Sequence, residues 1–254
     1  AALVKSSTNK SIIDIIKSYS GPCLLNEDGL EIKYEDLGEN IELIGAQLSS
    51  IDLKKNKICA LVLPNGIDMA MSFLALANFV TVSPLNPNYT KEEFLFFLQD
   101  LDCEFIIADK NASNALLEAA GQLGIRLFYL NSDVPKNGLS IKSLPTSSEC
   151  SLDQNKDEDF CLILHTSGTT SRPKQVQLSC TNVISSALNI SHVLKLKKED
   201  KGLNIMPLFH IHGLIASLLS SVVTGSSLVC TSGFNALSFY ANINTFKPTW
   251  ITAV

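Results

Sequence analysis

The feature that most constrains this chain is an alternation in the kind of segment along it. Residues 57–63, KICALVL, form an unbroken apolar run of strand length, of the sort buried on both faces. A helical stretch over 66–79 follows, then VTVSPL, a helix over 91–101, EFIIA, a helix over 112–123 and RLFYL. Short, doubly buried strands separated by helices predict βαβ units and a mainly parallel sheet. After residue 160 the pattern restarts with DFCLILH, a polar loop, QVQL, a helix over 181–194, LNIM, a helix over 214–223, SSLVC, a helix over 235–246 and PTWITAV. Upstream, Ile12, Ile13, Ile15, Ile16 and Tyr19 recur at helical spacing. CLLNEDGLEIKY offers two short strands around Asp28-Gly29, a strong hairpin signal, and Leu37, Ile41, Ile44 and Leu48 stripe a helix over 34–50. The expected class is α/β, with layered sheets flanked by helices.

Residues 131–159 are polar, aperiodic and longer than an ordinary connection. The expected division is therefore a first βα subdomain at 1–130, a linker at 131–159 and a second βα subdomain at 160–254. No repeat of fixed period is present, which argues against a solenoid. TWITAV stops within a strand-like pattern without a polar tail, so the chain is expected to be a piece of something longer, cut inside its second subdomain.

Composition removes several functions. Of 254 residues, 46% are hydrophobic and 18% charged, too apolar for a disordered chain. The net charge of -5 argues against nucleic acid as a partner, which would need clustered positive charge. Seven cysteines lie far apart without CxxC or Cys/His ligand spacing, the pattern of reduced thiols in a cytosol-like compartment. The opening AALVKSSTNK turns polar too early for a signal peptide. The most apolar long stretch, 214–230, is too interrupted by Ser, Thr and Gly to span a bilayer.

Two segments carry chemistry. In LILHTSGTTSRPKQVQL, 162–178, a buried strand feeds a loop of hydroxyl residues with one Gly, one Pro and two cations. Hydroxyl and backbone N–H groups donate to phosphate oxygens, Gly168 allows positive φ around an anion, and Lys174 supplies a mobile positive charge. The loop does not match GxxxxGK[ST], which disfavours a Walker NTPase. The same composition also suits a Ser/Thr-rich surface turn punctuated by Pro173. Arg172 stands out because the chain has only one other arginine, Arg126. The second segment is MPLFHIHGL, 206–214. In an extended strand His210 and His212 face opposite sides and would not share a metal; one can sit at a pocket mouth and titrate near neutrality, or both can be satisfied core or loop residues. His165 ends the strand entering the loop, and His192 lies within a helix.

Together these segments resemble the adenylate-forming enzymes: acyl-CoA synthetases, luciferases and the adenylation domains of nonribosomal synthetases. HTSGTTSRPKQV is similar to that family's phosphate-loop signature, TSGTTGxPKG, and IMPLFHIHGL to its next core motif, in the same order. The stretch from LVLPNGIDMAMSF to DLDCEFII is similar to its first subdomain, so the resemblance covers essentially the whole chain and implies the N-terminal part of the family's large domain. Ser171 and Gln175 stand where the signature has Gly. The Ser-Arg-Pro-Lys form with PLFHIHGL is similar to the branch of oxalate-CoA ligases and peroxisomal-CoA-synthetase-like proteins, which points to a small or dicarboxylic acid.

The resemblance implies a two-step reaction. A carboxylic acid and ATP give acyl-adenylate and pyrophosphate, and the CoA thiol then gives the thioester and AMP. It assigns Thr166, Ser167, Gly168, Thr169, Thr170 and Lys174 to the phosphates, Thr166 also to Mg2+, and Lys174 and His210 to catalysis. His210 and His212 are assigned to the acid substrate. The expected partners are a small carboxylic acid, ATP and CoA, and the expected location is cytoplasmic, or peroxisomal in a eukaryote. The family's later motifs, including an Mg2+-holding Glu, a ribose-binding Asp and a late catalytic Lys, would lie beyond Val254, so the chain by itself is expected to be inactive. Two other readings share the motifs: a non-catalytic nucleotide-binding or interaction relative, and adenylation without transfer to CoA.

Overall fold

The computed structural model of the chain describes residues 10–53, 55–134, 136–146, 149–166 and 172–254. Helix α1 (Ile12–Lys17) starts at a capping box in which Ser11 Oγ accepts from Asp14 N while the Asp14 carboxylate accepts from Ser11 N. The expected hairpin follows as β1 (Pro22–Leu25) and β2 (Glu31–Lys33), with Gly29 at φ +81° in its turn, a conformation that glycine adopts without a Cβ penalty. The alternating region is α2 (Tyr34–Leu48), β3 (Ile58–Val62), α3 (Ile67–Leu76), β4 (Thr81–Pro84), α4 (Lys91–Leu101), β5 (Phe105–Ala108), α5 (Asn114–Leu123) and β6 (Arg126–Asp133). A strand not foreseen, β7 (Gly138–Ile141), comes next. The rest is β8 (Phe160–Thr166), β9 (Lys174–Ser179), α6 (Cys180–Leu194), β10 (Lys201–Asn204), a π-helix over His212–Leu219, α7 (Ser220–Val222), β11 (Ser227–Cys230), α8 (Ala236–Phe246) and β12 (Trp250–Thr252).

These strands make two sheets. One has seven strands in the order β7-β6-β5-β3-β4-β8-β9, parallel within and closed at each edge by an antiparallel strand. The other has five, β12-β10-β11-β1-β2, parallel except for β2. The sheets do not divide along the chain at 131–159. β1 and β2 leave the first half to join β10–β12, with Leu24 opposite Leu228, while β8 returns to lie beside β4, with Val82 opposite Leu162. Parallel neighbours need crossovers, so adjacency in a sheet need not follow adjacency in sequence. The segment expected to link the halves instead contains the end of β6 and all of β7.

Side-chain alternation assigns the layers. Cys59 and Leu61 of β3, Phe105 and Ile107 of β5, and Leu162 and Leu164 of β8 point between the sheets, where they meet Leu24 and Leu228 and the apolar faces of α1, α2, α3, α6 and the π-helix. Their neighbours Ala60, Val62, Ile106, Ala108 and Ile163 pack outward on α4 and α5. On the far side Leu25, Leu203 and Val229 pack with Phe246 of α8. A strand buried on both faces reads as a continuous apolar run, which is why these strands were visible in the sequence.

β7 was not visible because its partners are polar. Asn40 and Gln47 of α2 are buried, and their amides reproduce a strand's hydrogen bonding. Asn40 accepts from Leu139 N at 3.1 Å and donates to Leu139 O at 2.7 Å. Gln47 accepts from Ile141 N at 2.7 Å and donates to Ile141 O at 3.1 Å. Buried amides are tolerated because each finds these partners.

Candidate functional site

β8 and β9 form a two-stranded stem at the carboxyl end of β8, the end of a parallel sheet where ligands collect in open α/β folds. The last rungs of the stem pair His165 with Gln175 and Thr166 with Lys174. Thr166 and Lys174 are thus neighbours at the mouth of the loop, both exposed, with Thr166 Oγ1 3.5 Å from Lys174 O. Ser167, Gly168, Thr169 and Thr170, the other residues assigned to phosphate from the sequence, lie outside the described residues, as does Ser171.

Beside the stem is a cleft of about 520 Å³, bounded by Thr166, Pro173, Met206, Phe209, His210 and His212. One wall is aromatic. Tyr89 stacks on Phe97 at 4.7 Å, and Phe97 meets the His165 ring edge-on at 4.7 Å. The opposite wall is the MPLFH segment, which is a turn rather than the extended strand considered from the sequence. His210 N donates to Pro207 O at 3.3 Å, Leu214 N donates to His210 O at 3.1 Å, and His212 opens the π-helix. This turn brings His210 and His212 to one cleft, where an extended strand would have separated them. Gly213 makes it possible, since a Cβ there would stand 2.3 Å from Pro207 O.

The histidines are held differently. His210 packs against Phe209 with ring centroids 4.5 Å apart, and burial pulls its pKa down, favouring the neutral imidazole. His212 Nε2 is 2.5 Å from Thr252 Oγ1 of β12. His165 Nε2 is 2.9 Å from Asp100 Oδ2. Partial burial works to raise the Asp100 pKa, but hydrogen bonds from Gln175 and His165 outweigh it and hold the carboxyl below its usual range. Among the described residues no group of three His, Cys, Asp or Glu could hold a metal ion. Thr166 fits Mg2+ only as a single neutral oxygen beside phosphate oxygens, a mode that suits a cation bound largely through substrate.

Asn65, from LVLPNG, escaped sequence reading as a member of this site. Its amide donates to Met206 O at 3.2 Å and to Thr231 O at 3.1 Å, and its oxygen accepts from Leu208 N at 2.8 Å, so it pins the first half of the MPLFH turn and ties it to the residue after β11. Asp100, Tyr89 and Phe97 were missed too. They lie on or just before α4, far from the loop in sequence, and only the β4–β8 pairing brings that helix to it. A second, more polar cleft of about 400 Å³ opens at the carboxyl ends of β3, β4 and β5, edged by Asn65, Asn86, Asn88 and Asn111, and it shares Phe209 with the first.

Other proteins are similar to this chain in sequence or in fold. An oxalate–CoA ligase of Arabidopsis thaliana is 35% identical over 227 residues, covering 86% of this chain and 44% of that protein. An oxalate–CoA ligase of Saccharomyces cerevisiae is 32% identical over 220 residues, covering 77% and 40%. The chain therefore spans less than half the length of these relatives. The crystal structure of ATP-bound MatB from Rhodopseudomonas palustris superposes with a TM-score of 0.81 at 20% identity, over 96% of this chain and 49% of that one, which shows a shared fold. The family model of AMP-binding enzymes matches residues 17–254. On that match, the chain belongs to the AMP-binding enzyme family.

Proposed function

We propose that this chain forms the N-terminal part of an acid–CoA ligase, which activates a carboxylic acid with ATP as the acyl-adenylate and passes the acyl group to CoA. The observation that carries the reading is that Thr166, which borders the cleft holding His210, pairs with Lys174 in the last rung of the stem, in a chain of the AMP-binding family. In this reading ATP lies with its β- and γ-phosphates at the loop 166–174. Lys174 and the loop hydroxyls stabilise negative charge as an acid oxygen attacks the α-phosphorus and pyrophosphate leaves. Donors placed in advance for such charge lower a barrier more than most other single devices in an active site. Mg2+, when bound, offsets phosphate charge, and Thr166 contributes one of its oxygens.

His210, kept neutral by burial beside Phe209, can donate a hydrogen bond to the acid carboxylate without competing for its negative charge. His212 stands behind it on the same wall. The similarity to oxalate–CoA ligases makes a small dicarboxylic acid the first substrate to try. Seven unpaired cysteines, six of them buried, agree with a reducing compartment such as the cytosol. Among the described residues no helix is long and apolar enough to cross a membrane.

The test is acid-dependent ATP–pyrophosphate exchange by the intact protein over a panel of oxalate, short fatty acids and aromatic acids, followed by addition of CoA. Exchange with at least one acid, then thioester and AMP, is expected. Exchange without thioester would support adenylation alone, and no exchange with any acid would contradict the reading.

A further inference from the structure

Side chains alternate faces along a strand, so whatever fixes His165 and Gln175 on one face of the stem fixes Thr166 and Lys174 on the other. Both members of the inner rung are tied to one residue outside the stem, Asp100 near the C-terminal end of α4. His165 Nε2 lies 2.9 Å from Asp100 Oδ2, and Gln175 Nε2 donates to that same oxygen at 2.9 Å. Gln175 also donates to the Asp100 carbonyl oxygen, one of those that a helix end leaves without an intrahelical partner. A carboxylate in the last turn opposes the helix dipole, so α4 itself gains nothing from Asp100. Its side-chain contacts lead to the stem. The His165 side chain is only 6% exposed, held edge-on against Phe97.

Resting on the acid-activation reading, we propose that Asp100, His165 and Gln175 form a latch between α4 and the β8–β9 stem, and that Gln175 is a positioning residue setting Lys174 and Thr166 for the adenylation step. Gln175 acts through its neighbour in the strand. With its amide fixed on Asp100 at two points, the backbone at 174–175 cannot rotate without breaking both bonds, and Lys174 is held on the same face of the stem as Thr166. A glycine at 175 would remove both bonds and leave His165 as the only tie.

A reciprocal exchange tests the latch in the intact protein. Gln175→Glu sets a carboxylate against that of Asp100, and adding Asp100→Asn restores a donor–acceptor pair with the roles reversed. The single change should lower kcat of pyrophosphate exchange about tenfold with KM for ATP changed less than about threefold, and the double change should recover part of the loss, since it restores the side-chain bond but not the one to the Asp100 carbonyl. Thioester formation from supplied acyl-adenylate should change less than about twofold throughout, because that step does not use the phosphate contacts. Unchanged kcat in Gln175→Glu, no recovery in the double variant, or equal loss in both half-reactions would overturn the proposal.

A second measurement reads the latch without activity. Trypsin cuts after Lys174, whereas the Arg172–Pro173 bond resists it. Asp100→Ala should accelerate cleavage after Lys174 severalfold, while cleavage after lysines outside the stem changes less than about twofold. An unchanged cleavage rate would overturn the latch. Because this result is independent of turnover, failure of the latch and failure of the acid-activation reading give different outcomes.

Discussion

At the residue scale, Gln175 shows how a departure from a family signature acquires a physical account. From the sequence it was only a glycine lost; in the structure it reaches Asp100 across 75 positions of chain. The same contact predicts a pH dependence. Because the Asp100 carboxyl is held below its ordinary value, the folded state gains stability from its ionised form. That gain is complete above the unfolded carboxylate value of about 4 and is lost as pH falls through the lower folded value. Thermal melts of the intact protein and its Asp100→Asn variant should therefore differ at pH 7 and converge as pH falls below about 4. A constant difference across that range would mean that the stabilisation does not depend on the Asp100 charge. Thr166, Lys174 and His210 could be singled out from sequence because the segments that hold them resemble two motifs of the adenylate-forming enzymes. Asn65 and Asp100 could not, since a lone Asn after a Pro and an Asp late in a helix are ordinary until the tertiary contacts are known.

At the element scale, glycines separate positions that demand a missing side chain from positions that do not. In α2 a Cβ on Gly45 would lie 2.4 Å from Cζ of the buried Phe79 ring, so α2 and the end of α3 could not keep their spacing. Gly45→Ala should cost about 1–3 kcal/mol in urea unfolding, the usual range for overpacking. Gly121, inside α5 with nothing within 4 Å, should behave oppositely, and Gly121→Ala should stabilise by about 0.5–1 kcal/mol. If both substitutions destabilise alike, the close α2–α3 approach is not the cause. Helix and strand types followed from periodicity wherever apolar side chains decided the structure. The π-helix at His212–Leu219 did not, because its apolar face reads as an ordinary helix over 214–223; its wider turn is seen in the Ser220 backbone N–H donating to Ile215 O, five residues back.

At the scale of the whole molecule, the α/β class and the layering of helices on sheets were legible, and the partition was not. Burial patterns say which strands are covered on both faces but not which strand lies beside which, and here β1–β2 and β8–β9 each join the sheet of the other half. That exchange has a functional consequence. The stem joins the sheet that carries α4, while the MPLFH turn follows β10 of the other sheet, so the cleft lies where the two sheets meet. A substitution that loosens either sheet should therefore affect the site, and half-reaction measurements are needed to separate such effects from chemistry.

Everything proposed for the site depends on the stem ending in Thr166 and Lys174 holding the polyphosphate during acid activation. The most direct test is Lys174→Ala in the intact protein, with acyl-adenylate formation from acid and ATP measured beside thioester formation from supplied acyl-adenylate and CoA. The first rate should fall by about 10²-fold or more, the scale of losing one preorganised charge-stabilising donor, while the second changes less than about threefold. Equal loss in the two half-reactions, or no loss in the first, would contradict it.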